Sequence, residues 1–192
     1  MAITLQDIHD LFAAHGGRQY SGEPVTQLEH ALQTAHLAEQ SGADDELVTA
    51  CLLHDLGHLL QAQGEGLDDT PTLRGVDDRH QTFALPFLRG LFSERVLGAI
   101  QRHVDAKRYL CQVTPAYFDK LSEDSKRSLQ LQGGVFSAGQ AAAFIVQPGA
   151  SDAVMLRVWD DLAKQVDLDT PTLAHFLERA ARCASPGTAS AA

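Results

Sequence analysis

Cysteine is scarce in this chain: its three copies, Cys51, Cys111 and Cys183, lie far apart and form no CxxC pair. That spacing excludes a disulfide framework and leaves free thiols in a reducing cytoplasm as the expectation. Long apolar runs are missing too. Nothing approaches the roughly 18 consecutive apolar residues of a membrane span, and Met1-Ala2-Ile3-Thr4 lacks the basic and then apolar pattern of a secretory signal, so no membrane partner is expected. Positive charge is the minority, with 15 Lys and Arg against 25 Asp and Glu and a net charge of −10. A nucleic-acid partner calls for a basic face, and none is expected here. A small anionic ligand in a local basic pocket remains compatible with that balance. Sustained alternation of β-branched residues is absent as well, which argues against strands.

What is present is helical spacing, almost throughout. Thr4 with Asp7 reads as a helix start, with Ile3, Ile8, Leu11 and Phe12 on its apolar face. A second helix is expected from near Val25 to Gln40, stopped by Ser41-Gly42, and a third from about Asp44, with acidic residues in its first turn. Gln63 to Asp69 is a loop rich in Gly and Asp. Further helices fit 74–90, 93–108, 115–120, 122–131, 137–146, 149–164 and 170–183. No linker interrupts them. The expectation is therefore an all-α fold, one helical domain over residues 1–184, with a flexible tail at 185–192. Phe83, Phe87, Phe92 and Phe144 fall at helical spacing and are expected in the core.

The chemistry-bearing residues begin at His54-Asp55-Leu56-Gly57-His58, directly after the apolar run Ala50 to Leu53. On a continuous helix His54 and His58 share one face, while Asp55 turns away by about 100° towards a second site. Polar groups buried beside such a run need partners or a metal. Imidazole and carboxylate together suit iron, manganese or zinc. His30 lies upstream, His80 and His103 downstream, and Asp160 or Asp161 later still. This order of residue types resembles the signature of the HD superfamily, a helical fold whose members are mostly metal-dependent phosphohydrolases and include oxygenases. The HD pair alone does not separate hydrolysis by a metal-activated water from oxygenation, and a degenerate regulatory module would have lost ligands.

A longer resemblance does separate them. The stretch from Tyr20 through Glu23 to His30, the HD segment, His103-Val104-Asp105-Ala106-Lys107-Arg108-Tyr109-Leu110, Leu131-Gln132-Gly133-Gly134 and Arg157-Val158-Trp159-Asp160 are similar to the HD-domain mixed-valent di-iron oxygenases of the PhnZ type. That resemblance implies dioxygen-dependent cleavage of the carbon–phosphorus bond of a 1-hydroxy-2-aminoethylphosphonate, with phosphate released. The amine is either free, giving glycine, or trimethylated, giving glycine betaine, and the free amine is slightly favoured. It implies two iron ions, Fe(II) and Fe(III): one held by His30, His54, Asp55 and Asp160, the other by Asp55, His80 and His103. Tyr20 would occupy the second iron's open position, and Glu23 would sense the amine and draw Tyr20 away. His58, Lys107, Ser125 and Arg157 would bind the phosphonate, with Ser122 and Ser128 as nearby alternatives to Ser125. Two positions depart from the pattern: Pro24 stiffens the loop, and Thr26 stands where Asn is familiar.

Spacing supports part of this independently. Lys107 lies four residues after His103 and Arg157 three before Asp160, each pair on one helical face. A guanidinium offers a planar fork to phosphonate oxygens. His9, His15, His36 and His175 fit no position in such a cage. A monomer or small homo-oligomer acting on a small organophosphonate is the expected state.

Overall fold

In the computed structural model, which describes residues 3–20, 22–61 and 72–185, side-chain caps fix where most helices begin. Thr4 accepts a hydrogen bond from the Asp7 amide while Asp7 accepts from that of Thr4, and this reciprocal cap opens α1 (Leu5–His15). Thr26 and Glu29 open α2 (Gln27–Gln40) in the same way. Asp44 caps α3 (Asp45–Leu53), and α4 (Leu56–Gln61) follows after a two-residue turn. Next come α5 (His80–Phe83), α6 (Leu85–Leu88) and the long α7 (Glu94–Val113). The chain continues through α8 (Tyr117–Lys120), α9 (Glu123–Leu131), α10 (Ala138–Ile145), α11 (Ala150–Leu162) and α12 (Leu173–Cys183). Among the described residues there is no strand, only two isolated bridges, Gln19 with Thr26 and Arg89 with Phe92. The fold is all-α.

Helix α3 is the axis. Every residue from Leu47 to Leu53 is buried, as expected of a helix that is apolar all round, and α2, α7, α11 and α12 pack around it. The main core joins Ile8 and Phe12 of α1 to Val48, Leu52 and Leu53 of α3, Ile100 of α7, Leu156 of α11 and Phe176 of α12. Burying each such large side chain contributes about 1.5–3 kcal/mol. Two smaller clusters form further along the chain, one around Phe136 and Phe144, the other around Leu121 and Leu129. No helix of the described residues is long and apolar enough to cross a membrane.

The structure departs from the sequence expectations in several places. The helix expected over 74–90 is broken into a turn at 72–75, an irregular stretch at 76–79, and α5 and α6. Arg79 adopts a left-handed conformation (φ 52°) ahead of α5, and Pro86 has no N–H with which to continue the helix from α5. The helix expected over 93–108 runs on to Val113, since no breaker precedes Thr114-Pro115. Phe92 and Phe144 are core residues, but Phe83 is 42% exposed because the break turns it outward. The loop Gln63–Asp69 and the tail from 186 onward lie outside the described residues.

Candidate metal centre

Six buried polar side chains meet where α3 ends. The chain turns at His54-Asp55 instead of running on into α4. His54 and His58 therefore do not share a face, contrary to the continuous-helix reading: His54 joins His30 and Asp160, whereas His58 joins Asp55 and His80. Gly57 permits the turn's tight packing. A Cβ there would stand 2.1 Å from the His80 carbonyl oxygen, so only glycine lets α4 lie against the start of α5. His30 arrives from α2, His103 from the middle of α7 and Asp160 from α11.

Each of the four inner imidazoles has its Nδ1 anchored. His30 donates to the Ala163 carbonyl at 2.8 Å, His54 to that of Cys51 at 2.8 Å and His103 to that of Ile100 at 2.7 Å. His80 donates to Asp78 Oδ1 at 2.9 Å. With the proton on Nδ1, each Nε2 presents a lone pair, and these lone pairs converge. The Nε2 atoms of His30 and His54 are 3.2 Å apart, as are those of His80 and His103. Asp55 lies between the two pairs. Its Oδ2 is 3.7 Å from His30 and 3.4 Å from His54, while its Oδ1 is 3.3 Å from His80 and 3.7 Å from His103. Asp160 Oδ1 is 3.3 Å from His30. Asp55 Oδ2 and Asp160 Oδ1 are buried without any hydrogen-bond partner.

Facing lone pairs and orphaned buried carboxylate oxygens are costly unless a cation stands among them. The donor set fits a metal site, with Asp55 placed to share its two oxygens between two groups. The electrostatics agree. Burial pulls the His54 imidazole down, yet the Asp55 carboxylate outweighs it and carries that imidazole up to about 9. Burial raises Asp55 and Asp160, yet His54 and Arg157 respectively hold them well below the ordinary carboxylate range. The cage demands positive charge, which either a proton or a metal ion supplies.

The other expected site residues surround one cavity opening onto the cage. The Tyr20 ring stacks on His30, with centroids 3.9 Å apart and planes at 12°. Burial raises its phenol well above the usual value, and Asp55 and Asp160 push the same way. Tyr20 belongs to a tight loop: its amide donates to Val25, the Glu23 amide donates back to Tyr20, and Gly22 adopts φ +69°, a region open to glycine. Glu23 is buried and accepts from Lys164 Nζ at 2.8 Å. His58 donates from Nδ1 to Asp78 Oδ2 at 2.7 Å.

Lys107 is buried and donates to Ser128 Oγ at 2.7 Å; burial, reinforced by Arg157, lowers its ammonium to about 7. Ser125 and Ser128 both line the cavity, whereas Ser122 is spent capping α9. Arg157 reaches the wall, but its nitrogens are engaged by Asp160 at 2.7 Å, by Asp161 and by the Tyr117 hydroxyl. Its fork is therefore not free, whereas the Lys107 ammonium bonds a neutral hydroxyl and no carboxylate. Of the histidines set outside the cage, His9 and His175 are exposed.

A model of the HD domain matches residues 28–131, just over half of the chain. The chain belongs to the HD-domain family. It is 39% identical over 170 residues to [1-hydroxy-2-(trimethylamino)ethyl]phosphonate dioxygenase (glycine-betaine-forming) of Leisingera caerulea, covering 88% of this chain and 84% of that protein. It is 42% identical over 176 residues to hydroxymethylphosphonate dioxygenase of Gimesia maris, covering 92% and 86% respectively. Two residues of the site escaped sequence reasoning: Asp78, which anchors two imidazoles, and Lys164, which pairs with Glu23; of the two aspartates offered for the last cage position, Asp160 reaches the cage and Asp161 pairs with Arg157. Asp78 carried a signal, a carboxylate two positions before a ligand-type histidine. Lys164 carried none, since its partner Glu23 is 141 residues away.

Proposed function

We propose that this chain is a di-iron, dioxygen-dependent enzyme that cleaves the carbon–phosphorus bond of a 1-hydroxyphosphonate and releases phosphate. The observation that carries this reading is the pair of imidazole groups sharing Asp55, opening onto a wall with a buried lysine. The dioxygenase relatives support the oxidative chemistry. His30, His54 and Asp160 would hold one ion, His80 and His103 the other, with Asp55 between them. Bound there, a Fe(II)/Fe(III) pair supplies the activation of dioxygen and the electron transfers that side chains cannot.

The chain's own residues bind and orient. Lys107, with the Ser125 and Ser128 hydroxyls beside it, offers the phosphonate charge-assisted hydrogen bonds, and His58 stands at the rim, aligned by Asp78. Arg157 contributes its charge while orienting Asp160. Tyr20, stacked on His30, covers the cage on the side of its loop, and its displacement by substrate would open the metal to dioxygen only when substrate is present. For the simplest such substrate the balance is hydroxymethylphosphonate plus dioxygen giving formate plus phosphate. The carbon is oxidised, dioxygen is reduced, and the carbon–phosphorus bond is the one broken.

The test is phosphate release by iron-loaded protein with and without dioxygen. Release that needs dioxygen and consumes one equivalent per phosphate is the expected outcome. Equal release under nitrogen would point instead to the hydrolysis common among HD proteins.

A further inference from the structure

We propose that Lys164 sets the substrate class, by answering the Glu23 carboxylate from within the chain and so excluding phosphonates that carry a cationic group. The inference rests on the phosphonate-cleaving reading above. Glu23 and Lys164 both line the cavity that opens onto the metal cage. Glu23 is 9% exposed, and its Oε1 is 2.8 Å from the Lys164 ammonium. Lys164 is held at that position by the segment that follows α11. The Ala163 carbonyl anchors His30, and Gln165 exchanges two hydrogen bonds with Gln33, at 2.7 and 3.0 Å. The Lys164 backbone is thus fixed between two clamped neighbours, while its ammonium is held by Glu23 and lies 5.9 Å from the centre of the Tyr20 ring.

An arriving ammonium or trimethylammonium would have to displace Lys164 from Glu23 or lie beside it. Displacement forfeits a largely buried ion pair, and proximity sets two like charges in a cavity of low dielectric. A substrate with no such group incurs neither cost. Discrimination by a repulsive element needs no added contact to the preferred ligand. The pocket therefore takes a compact hydroxyphosphonate whose only charge is the phosphonate, with hydroxymethylphosphonate as the simplest case.

The experiment compares three substrates on iron-loaded protein: hydroxymethylphosphonate, 2-amino-1-hydroxyethylphosphonate and its trimethylammonio form. Phosphate release gives kcat/KM, and calorimetric titration gives Kd independently of turnover. The wild type is expected to favour hydroxymethylphosphonate over both cations by at least about tenfold in either quantity, equivalent to about 1.4 kcal/mol. In Lys164→Gln that ratio is expected to move at least about tenfold towards the cations, and Lys164→Arg is expected to keep it. A wild type that favours either cation, or a ratio unmoved in a folded Lys164→Gln protein, overturns the assignment while leaving phosphonate cleavage intact. If Lys164→Gln does not fold, the wild-type ratio decides alone. Absence of binding and of phosphate release with all three substrates overturns both readings together.

Discussion

On the outer face of α12, Arg179 reaches Glu39 and Asp45 at 2.6 Å each, and Arg182 reaches the same Asp45 carboxylate at 2.6 Å. Every charge in that cluster meets its opposite. At the inner end of α3 the charges are arranged otherwise. Asp55 Oδ2 and Asp160 Oδ1 have no hydrogen-bond partner, four imidazole lone pairs face one another, and Lys107 has only a serine hydroxyl. The outer cluster is complete as the chain folds and serves to tie α12 to α3. The inner one is left short of cations in the cage and short of anions at the wall. A protein can hold such an imbalance only where a rigid shell fixes it, and here the shell is the apolar run of α3 with the packed faces of α7 and α11.

The contrast is broken most severely at Asp55. Replacing it with alanine removes the one group shared by both halves of the cage. Asp55→Ala is expected to lose both ions and to lower activity by at least about a thousandfold, the scale on which removal of key catalytic groups acts. Metal analysis decides this, and two ions per chain retained in the purified variant would count against the shared role.

Lys107 sharpens the contrast with a smaller effect of two signs. Lys107→Met is expected to weaken phosphonate binding by about 1.5–3 kcal/mol, the worth of a hydrogen bond to a charged group, while raising the melting temperature. The stability sign follows from linkage. Lys107 titrates near 7 in the fold, below its ordinary 10.5, so between those values the unfolded chain binds more protons and stability rises with pH. Its burial cost is present in full below about pH 7, where the ammonium is charged. Substrate affinity should fall as pH rises through about 7, and that dependence should flatten in Lys107→Met. An unchanged affinity in this variant would move the phosphonate elsewhere.

The smallest effect belongs to the outer cluster. Arg182, opposed by burial and aided by Arg179, lowers the Asp45 carboxyl from 3.8 to about 2. Its contribution is present above about pH 3.8 and is lost as pH falls through about 2. Because the cluster lies at the surface and is only partly buried, Asp45→Asn should cost about 1 kcal/mol at neutral pH, and less in high salt. Metal content should not change. A denaturation curve measured at two salt concentrations, together with metal analysis, checks both statements.

Much of this arrangement was legible in the chain because helical periodicity and cap residues act locally. Thr4 with Asp7, Asp44 and the run Leu47 to Leu53 announce their helices through neighbours three or four positions away. The order of His and Asp residues signalled a cage because those residue types have few reasons to stand beside an apolar run. What stayed hidden depended on encounters across the fold. The turn at His54-Asp55 is enforced by the approach of α4 to the His80 backbone, which no local pattern encodes. Lys164 reads as a surface lysine until the segment after α11 brings it to Glu23, and Arg157 reads as a free fork until Tyr117 and Asp161 close on it. Residues 74–90 misled for a third reason: helical spacing persists there, but Pro86 and the backbone of Arg79 override it.

The cage draws its donors from His30, His54, Asp55, His80, His103 and Asp160, so its parts are spread over most of the chain's length. During synthesis, the group containing Asp55, His80 and His103 is complete in sequence well before Asp160 leaves the ribosome. The group containing His30 and His54 must wait for α11. The two positions therefore become available in a fixed order, and the last to close is the one whose ligand helix also carries Arg157 and leads to Lys164. Under the proposed function, metal loading at that position would report that α11 has joined the fold, so an ion held there would mark a chain folded through Asp160.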